Sequence, residues 1–243
     1  MNKLASLGMA IGLGLATQAG AAAFVNGGFE DGSLNGWTGG GGSWFGSPAL
    51  PVPPSTYDGG TPNNTIVSSG TDPFSGDNVV NTGNHSVRVN DSINDFSVST
   101  LRQQVLNYTD NDIFFAWNAV LQASHGTTDS DYFALSLVDD TSGTTLVSRS
   151  YSSASAPGTF VDLGNSWFGS RWQNEHIDLK ALGAVGHDFT LTLLASDCPY
   201  GGHAGYVYLD GFANVIIVDP VPEPGILALL GIGVLGLVRV RRK

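Results

Sequence analysis

Apolar and polar residues alternate with a period of two through much of the chain, as they do in strands that bury one face. Phe189, Leu191, Leu193 and Ala195 share one side of such a run. Farther upstream, Phe133, Leu135 and Leu137 oppose Tyr132, Ala134, Ser136 and Val138. Similar short runs, set between Gly, Asn, Asp and Ser turn signals, predict strands over residues 24–29, 86–90, 96–105, 113–123, 132–138, 145–150, 173–179, 189–195, 206–209 and 215–218. Asp139, Asp140, Thr141, Ser142 and Gly143 read as the turn of a hairpin. No long helical periodicity interrupts the pattern. The expected fold class is all-β, a two-sheet antiparallel β-sandwich of jelly-roll type.

One region breaks the rhythm. Residues 39–83 are rich in Gly, Pro, Ser, Thr and Asn, with prolines at 48, 51, 53, 54, 62 and 73. Structureless stretches of this length are uncommon inside a domain. Trp44, Phe45, Tyr57 and Phe74 lie within it, and a pure linker carries few aromatics. It reads as an ordered surface excursion capping one face of the sandwich.

Both ends look removable. Residues 1–23 carry Lys3, then an apolar stretch, then Ala21, Ala22 and Ala23. That is the layout of a secretory signal peptide, with cleavage expected between Ala23 and Phe24, or alternatively between Ala21 and Ala22. At the other end, Val221, Pro222, Glu223 and Pro224 precede the uncharged run 226–238 and then Arg239, Arg241, Arg242 and Lys243. The run is about 20 Å long as a helix, at about 1.5 Å per residue, and a spanning helix needs about 17 residues or more. This motif, apolar run and basic end resemble the PEP-CTERM sorting signal of Gram-negative bacteria. The resemblance implies processing by exosortase, transient anchoring in the inner membrane through 226–238, and a final place outside the cell or at its surface. The domain division is then signal peptide 1–23, sandwich 24–218 and sorting tail 219–243.

Charge narrows the functional classes. The chain has ten basic and 21 acidic residues and a net charge of −11. Loss of Lys3, Arg239, Arg241, Arg242, Lys243 and Glu223 with the two ends leaves the body at −15. Nucleic acid is excluded as a partner, since phosphate contacts need a basic surface. Acidic polymers are poor partners for the same reason, and cations are good ones. Cys198 stands alone, so no internal disulfide is possible. It reads as a small buried hydrophobe, with a reactive thiol as the alternative.

Candidate chemistry is sparse. His85, His125, His176, His187 and His203 show no paired spacing typical of zinc. Cys198 and His203 are near in sequence, which is no evidence of a nucleophile pair, and the glycines before His203 mark a tight turn. No Gly-x-Ser-x-Gly elbow is present. The opening Asn26, Gly27, Gly28, Phe29, Glu30 with Gly36 and Trp37 is similar to the start of the galactose-binding-like jelly rolls, which include several carbohydrate-binding modules. Trp172, Asp178, Leu179 and residues 189–193 fit the penultimate strands of that group. Residues 205–212 fit its closing strand, with Gly211 where a second Asp is usual. The resemblance implies one structural calcium ion held by the carboxylates of Glu30 and Asp210 and by backbone around Asn26 and Gly28, a hard cation on oxygen ligands. It also implies glycan binding, for which Trp44 and Trp167, both in Gly/Ser-rich loops, are the expected stacking faces.

Together these features describe an exported, noncatalytic sandwich associated with matrix exopolysaccharide. A secreted hydrolase on the same fold and a purely structural surface protein are the alternatives.

Overall fold

The computed structural model describes residues 23–45, 53–123, 125, 130–155 and 158–213. The expected signal segment as far as residue 22, the strand expected at 215–218, and the tail with Val221, Pro222, Glu223, Pro224 and the run 226–238 lie outside them. No helix among the described residues is long and apolar enough to cross a membrane.

The strands are β1 (Thr38–Ser43), β2 (Thr65–Ser68), β3 (His85–Val89), β4 (Ser97–Val105), β5 (Asp112–Gln122), β6 (Tyr132–Asp139), β7 (Thr144–Ser152), β8 (Val161–Gly164), β9 (Trp167–Gly169), β10 (Gln173–Asp178), β11 (Phe189–Ser196) and β12 (Gly205–Ala213). A short helix, α1 (Leu179–Leu182), is capped by Asp178, whose side chain accepts from the Ala181 N–H, and closed by Gly183 in the left-handed region. Two antiparallel sheets form. One has the order β1-β4-β11-β6-β7 and the other β2-β3-β12-β5-β9-β8. β10 shares a flank of β5 with β9, taking residues 112–117 while β9 takes 120–122. This is a sandwich of jelly-roll type.

The period-two pattern decides which side chains meet between the sheets. Leu101, Leu135, Leu137, Leu191 and Leu193 point inward from one sheet, and Val87, Phe115, Trp117, Leu121, Val207 and Leu209 from the other. Burial of each such side chain is worth roughly 1.5–3 kcal/mol. Glu175 of β10 is also buried here. It takes two hydrogen bonds from Arg149 of β7, at 2.8 and 2.6 Å, and a third from the indole N–H of Trp117 at 2.9 Å. The pair ties the two sheets together where neither has a further strand.

Residues 24–29 are a turn and not the expected strand. Phe29 N–H donates to the Asn26 carbonyl, and both residues have positive φ, 59° and 49°. The Asn-Gly-Gly sequence supplies little side chain to pack on a sheet, and a left-handed turn suits it. β1 was not expected, because Thr-Gly-Gly-Gly-Gly-Ser offers no alternation to read. Its glycines have a packing reason. A Cβ on Gly41 would stand 2.2 Å from the Thr61 carbonyl oxygen, and one on Gly60 would stand 1.8 Å from that of Gly41. Only bare backbone lets the two segments lie this close.

The 39–83 excursion covers both outer faces, and not one as expected. Its first arm folds over the five-stranded sheet, where Trp44 and Tyr57 pack on Val98 and Leu194. Its second arm crosses the seven-stranded sheet, where Val79 and Val80 join Val120, Trp167, Tyr206 and Tyr208.

Candidate functional site

Three places bear on function: the junction of the first turn with the last strand, the two tryptophans expected to stack on sugar, and a groove on the five-stranded sheet.

At the junction, β12 places Asp210 on the outward side of the seven-stranded sheet, fully buried under residues 81–85. Asp210 Oδ2 accepts from the Asn81 and Thr82 N–H groups at 2.9 and 2.8 Å, and Oδ1 accepts from Gly211 N–H at 2.6 Å. Glu30 leaves the first turn and accepts from the backbone N–H groups of Asn84 and His85 and from the Asn84 side-chain amide, at 2.9–3.1 Å. Gly83 has φ +70°, and a Cβ there would strike the Glu30 carboxylate at 2.4 Å, so the loop wraps the carboxylate with glycine at the contact. A Cβ on Gly28 would stand 3.6 Å from Glu30 Cγ and 4.0 Å from Asp210 Oδ1, which puts Gly28 beside both acids.

The two carboxyls respond to this setting in opposite ways. Burial is the largest single influence on Glu30 and raises its pKa, but the backbone N–H groups of His85 and Asn84 and the Asn84 side-chain amide together outweigh it and hold the group below its ordinary value. Burial dominates at Asp210 and, with repulsion from Glu30 added, pushes it up to about 7 despite three N–H donors. At neutral pH the junction therefore carries the Glu30 charge and part of the Asp210 charge. Among the described residues no lysine or arginine pairs with either acid. Oxygen donors with unbalanced charge and no basic neighbour fit a hard cation. Asn26 does not join them. Its carbonyl already accepts from the Phe29 N–H and the Trp37 indole N–H, at 3.0 and 3.2 Å, and so is turned toward the core.

Trp44 and Trp167 are not open stacking faces. Trp44 is 5% exposed and lies under the first arm with Tyr57, while Trp167 is 6% exposed and stacks on Phe74 with centroids 4.0 Å apart. Loop composition marked them as surface residues, yet each pins an arm of the excursion to a sheet. The exposed ring beside Trp44 is Phe45, at 74%.

The groove is a place that sequence reasoning missed. Strand register sets Thr38 of β1, Arg102 of β4, Thr192 of β11 and Ser136 of β6 in one row across the outer face of the five-stranded sheet. Thr100 stands in the next row. Pro54, Ser55 and Asp58 of the first arm form the wall, and the groove encloses about 210 Å³. Hydroxyls, one guanidinium and one carboxylate line it, so both donors and acceptors face a bound molecule. The signal was in the alternation: outward Thr, Ser and Arg recur on three strands that pair in register.

Phe24 also bears on the expected cleavage point. It is buried, with its ring 4.6 Å from Phe212 and 6.0 Å from Tyr108, while Ala23 is exposed. Phe24, the first residue after the expected cut, is thus packed into the body.

Residues 220–243 match the family model of the PEP-CTERM protein-sorting motif. The match carries with it exosortase-dependent sorting of the chain to the cell surface. No curated protein matches the chain. Among solved structures the chain is similar to the carbohydrate-binding module TmCBM61 in complex with β-1,4-galactotriose, at 14% identity over 78% of this chain and 95% of that one, TM-score 0.40. It is similar to CBM28, a module specific for non-crystalline cellulose, at 13% identity over 78% and 92%, TM-score 0.40. A third is CBM27-1 of Caldicellulosiruptor saccharolyticus in complex with mannohexaose, at 12% identity over 76% and 93%, TM-score 0.39.

Proposed function

We propose that this surface-sorted sandwich is a noncatalytic glycan-binding protein that holds a neutral matrix polysaccharide in the groove of its five-stranded sheet. The observation that carries this reading is the row Thr38, Arg102, Thr192 and Ser136, walled by Ser55 and Asp58. Sugars present many hydroxyls that both donate and accept, and this lining can answer both. At about 210 Å³ the groove is smaller than the roughly 300–1,000 Å³ of pockets for drug-sized ligands. It suits one sugar unit of a longer chain lying across the sheet. A body at −15 favours a neutral polymer over an acidic one. Arg102→Ala should weaken retention on host exopolysaccharide and leave the melting temperature unchanged. If the intact protein is not retained on any host glycan, this reading fails and the structural surface protein replaces it.

Calcium belongs to the same proposal. Glu30 and Asp210, with the Gly28 backbone, would hold one ion and link the first turn to the last strand. A ligand bound by the native state alone adds about 2.7 kcal/mol at 100 times its Kd. The melting temperature should therefore rise with calcium and fall with chelator. No change on chelation, with no calcium found by elemental analysis, sinks this part.

The tail completes the reading. The run 226–238 holds the precursor in the inner membrane until exosortase cuts near Val221, Pro222, Glu223 and Pro224. Mature protein from the native host should then lack residues 226–243 by intact mass.

A further inference from the structure

Three side chains that neither the groove nor the acidic junction uses converge at one end of the sandwich. The connection from β11 to β12 runs from Asp197 to Ala204. It turns back on itself: Cys198 N–H donates to the His203 carbonyl at 3.0 Å, and Gly201 N–H donates to the Cys198 carbonyl at 3.1 Å. Cys198 and His203 are thereby held side by side. The third residue comes from the far end of β5. β12 pairs with β5 through Gly205 and Leu121, and the contact extends past the strands. Gln122 N–H donates to the Ala204 carbonyl at 3.0 Å, and Ala204 N–H donates to the Gln122 side chain at 3.1 Å. This pairing carries His125 to the Cys198–His203 turn.

The geometry is that of ligands around one ion. Cys198 Sγ is 3.6 Å from His125 Nδ1. The two imidazole rings meet edge to face, with centroids 4.7 Å apart at 67°. One ligand atom from each of the three residues lies within 4.8 Å of the other two. In a tetrahedral zinc site, metal–sulfur bonds of about 2.3 Å and metal–nitrogen bonds of about 2.0–2.1 Å set sulfur and nitrogen about 3.5–3.6 Å apart. The Cys198–His125 pair has this spacing.

A thiol–imidazole nucleophile pair could share that distance, but two observations favour a metal. Cys198 is fully buried, so no substrate reaches its sulfur. The second imidazole at the same point supplies a third ligand for a metal. Thiolate with two imidazoles selects a borderline-soft ion over the hard calcium that oxygen donors take. Cys198 is the only cysteine in the sequence.

We propose that Cys198, His125 and His203 form a binding site for zinc or a similar divalent transition-metal ion, separate from the acidic junction. Three protein ligands leave the fourth position to water or to another donor. The ion would fasten the end of β5 to the turn before β12.

The test uses the full chain, stripped with chelator and titrated with cobalt(II) and then zinc(II). One equivalent of cobalt should give a thiolate-to-cobalt charge-transfer band and the intense visible bands of a tetrahedral site, and zinc should abolish both. Cys198→Ser should remove the charge-transfer band. His125→Gln should weaken zinc binding by about tenfold or more. His125 is exposed, so that variant should fold as the parent does, which the far-ultraviolet circular dichroism of the metal-free protein checks. Glu30→Gln should leave the cobalt spectrum unchanged. Folded parent protein that gives no charge-transfer band at saturating cobalt overturns the proposal. So does a His125→Gln variant that keeps the parent's zinc affinity.

Discussion

The two arms of the 39–83 excursion are held down by different physics. The first arm lies on the five-stranded sheet through close backbone contact, helped by Asn63 N–H donating to Ser99 Oγ at 2.9 Å and the Asn64 amide donating to the Thr100 carbonyl at 2.8 Å. Glycines in β1 let the segment around Tyr57–Pro62 approach to contact, and Trp44, Tyr57, Val98 and Leu194 close a small apolar cluster over it. The second arm lies on the seven-stranded sheet through a buried carboxylate. Asp72 Oδ2 accepts from the hydroxyls of Tyr206 and Tyr208 at 2.7 and 2.8 Å, and Oδ1 accepts from the Phe74 and Ser75 N–H groups at 2.9 and 2.7 Å. Burial pushes both phenols above their ordinary range, with the Asp72 charge adding to it, so they stay protonated as donors. The Phe74–Trp167 stack finishes the cover. The outcome differs too. The polar arrangement seals aromatic residues beneath it, and the apolar one leaves a polar row open beside it.

The comparison can be broken most forcefully at its two tryptophans. Trp44→Ala and Trp167→Ala should each cost roughly 3–5 kcal/mol by chemical denaturation, as deletions of large packed side chains do. A loss well under 1 kcal/mol for either would return that indole to the surface and to ligand binding. Asp72→Ala should come next. It leaves two buried hydroxyls and two N–H groups without their acceptor, at about 1–3 kcal/mol for each group that water does not reach. Limited proteolysis should then cut within residues 69–80 and spare the first arm. Gly41→Ala should cost about 1–3 kcal/mol as overpacking against the Thr61 carbonyl. It should also lift the groove wall, so glycan retention falls while the second arm stays protected.

The smallest effect is expected at the β6–β7 turn, which neither arm touches. Burial raises the Asp139 pKa, but hydrogen bonds from His187 and Ser142 more than offset it and hold the group below its ordinary value. A carboxyl with a lowered folded-state pKa stabilises the fold above the usual carboxylate range and loses that contribution as pH falls. Melting temperature should drop on acidification below about pH 4, and Asp139→Asn should flatten the drop. An unchanged slope in the variant would assign the acid sensitivity to other carboxyls.

Much of the sandwich was legible because its central strands carry their own alternation. Leu191 and Leu193 read as inward from spacing alone, and the hairpin at Asp139–Gly143 from turn chemistry. β1 was illegible for the reason that it works: four glycines carry no side chains to alternate. The acidic junction was visible as two motifs at opposite ends of the body, and the structure does set Glu30 beside Asp210. The carbonyl of Asn26 could not be read, because its direction follows from a positive φ and an indole partner. Trp44 and Trp167 were misjudged because Gly/Ser-rich surroundings describe a loop and do not say what the loop lies upon. The groove and the cluster at Cys198 were hidden for another reason. Each is assembled by strand pairing between residues dozens of positions apart, and register is set by the whole sheet.

β12 is the last strand of the chain among the described elements, and it lies between β3 and β5 in its sheet. Near its end, Phe212 meets Phe24, the residue beside the expected signal cut. A chain threaded out with its N-terminus leading therefore cannot close its core until almost all of it has emerged. At that moment only a few residues separate the closing strand from the sorting motif at 220–243. Completion of the sandwich and appearance of the sorting motif therefore fall close together in the order of the chain.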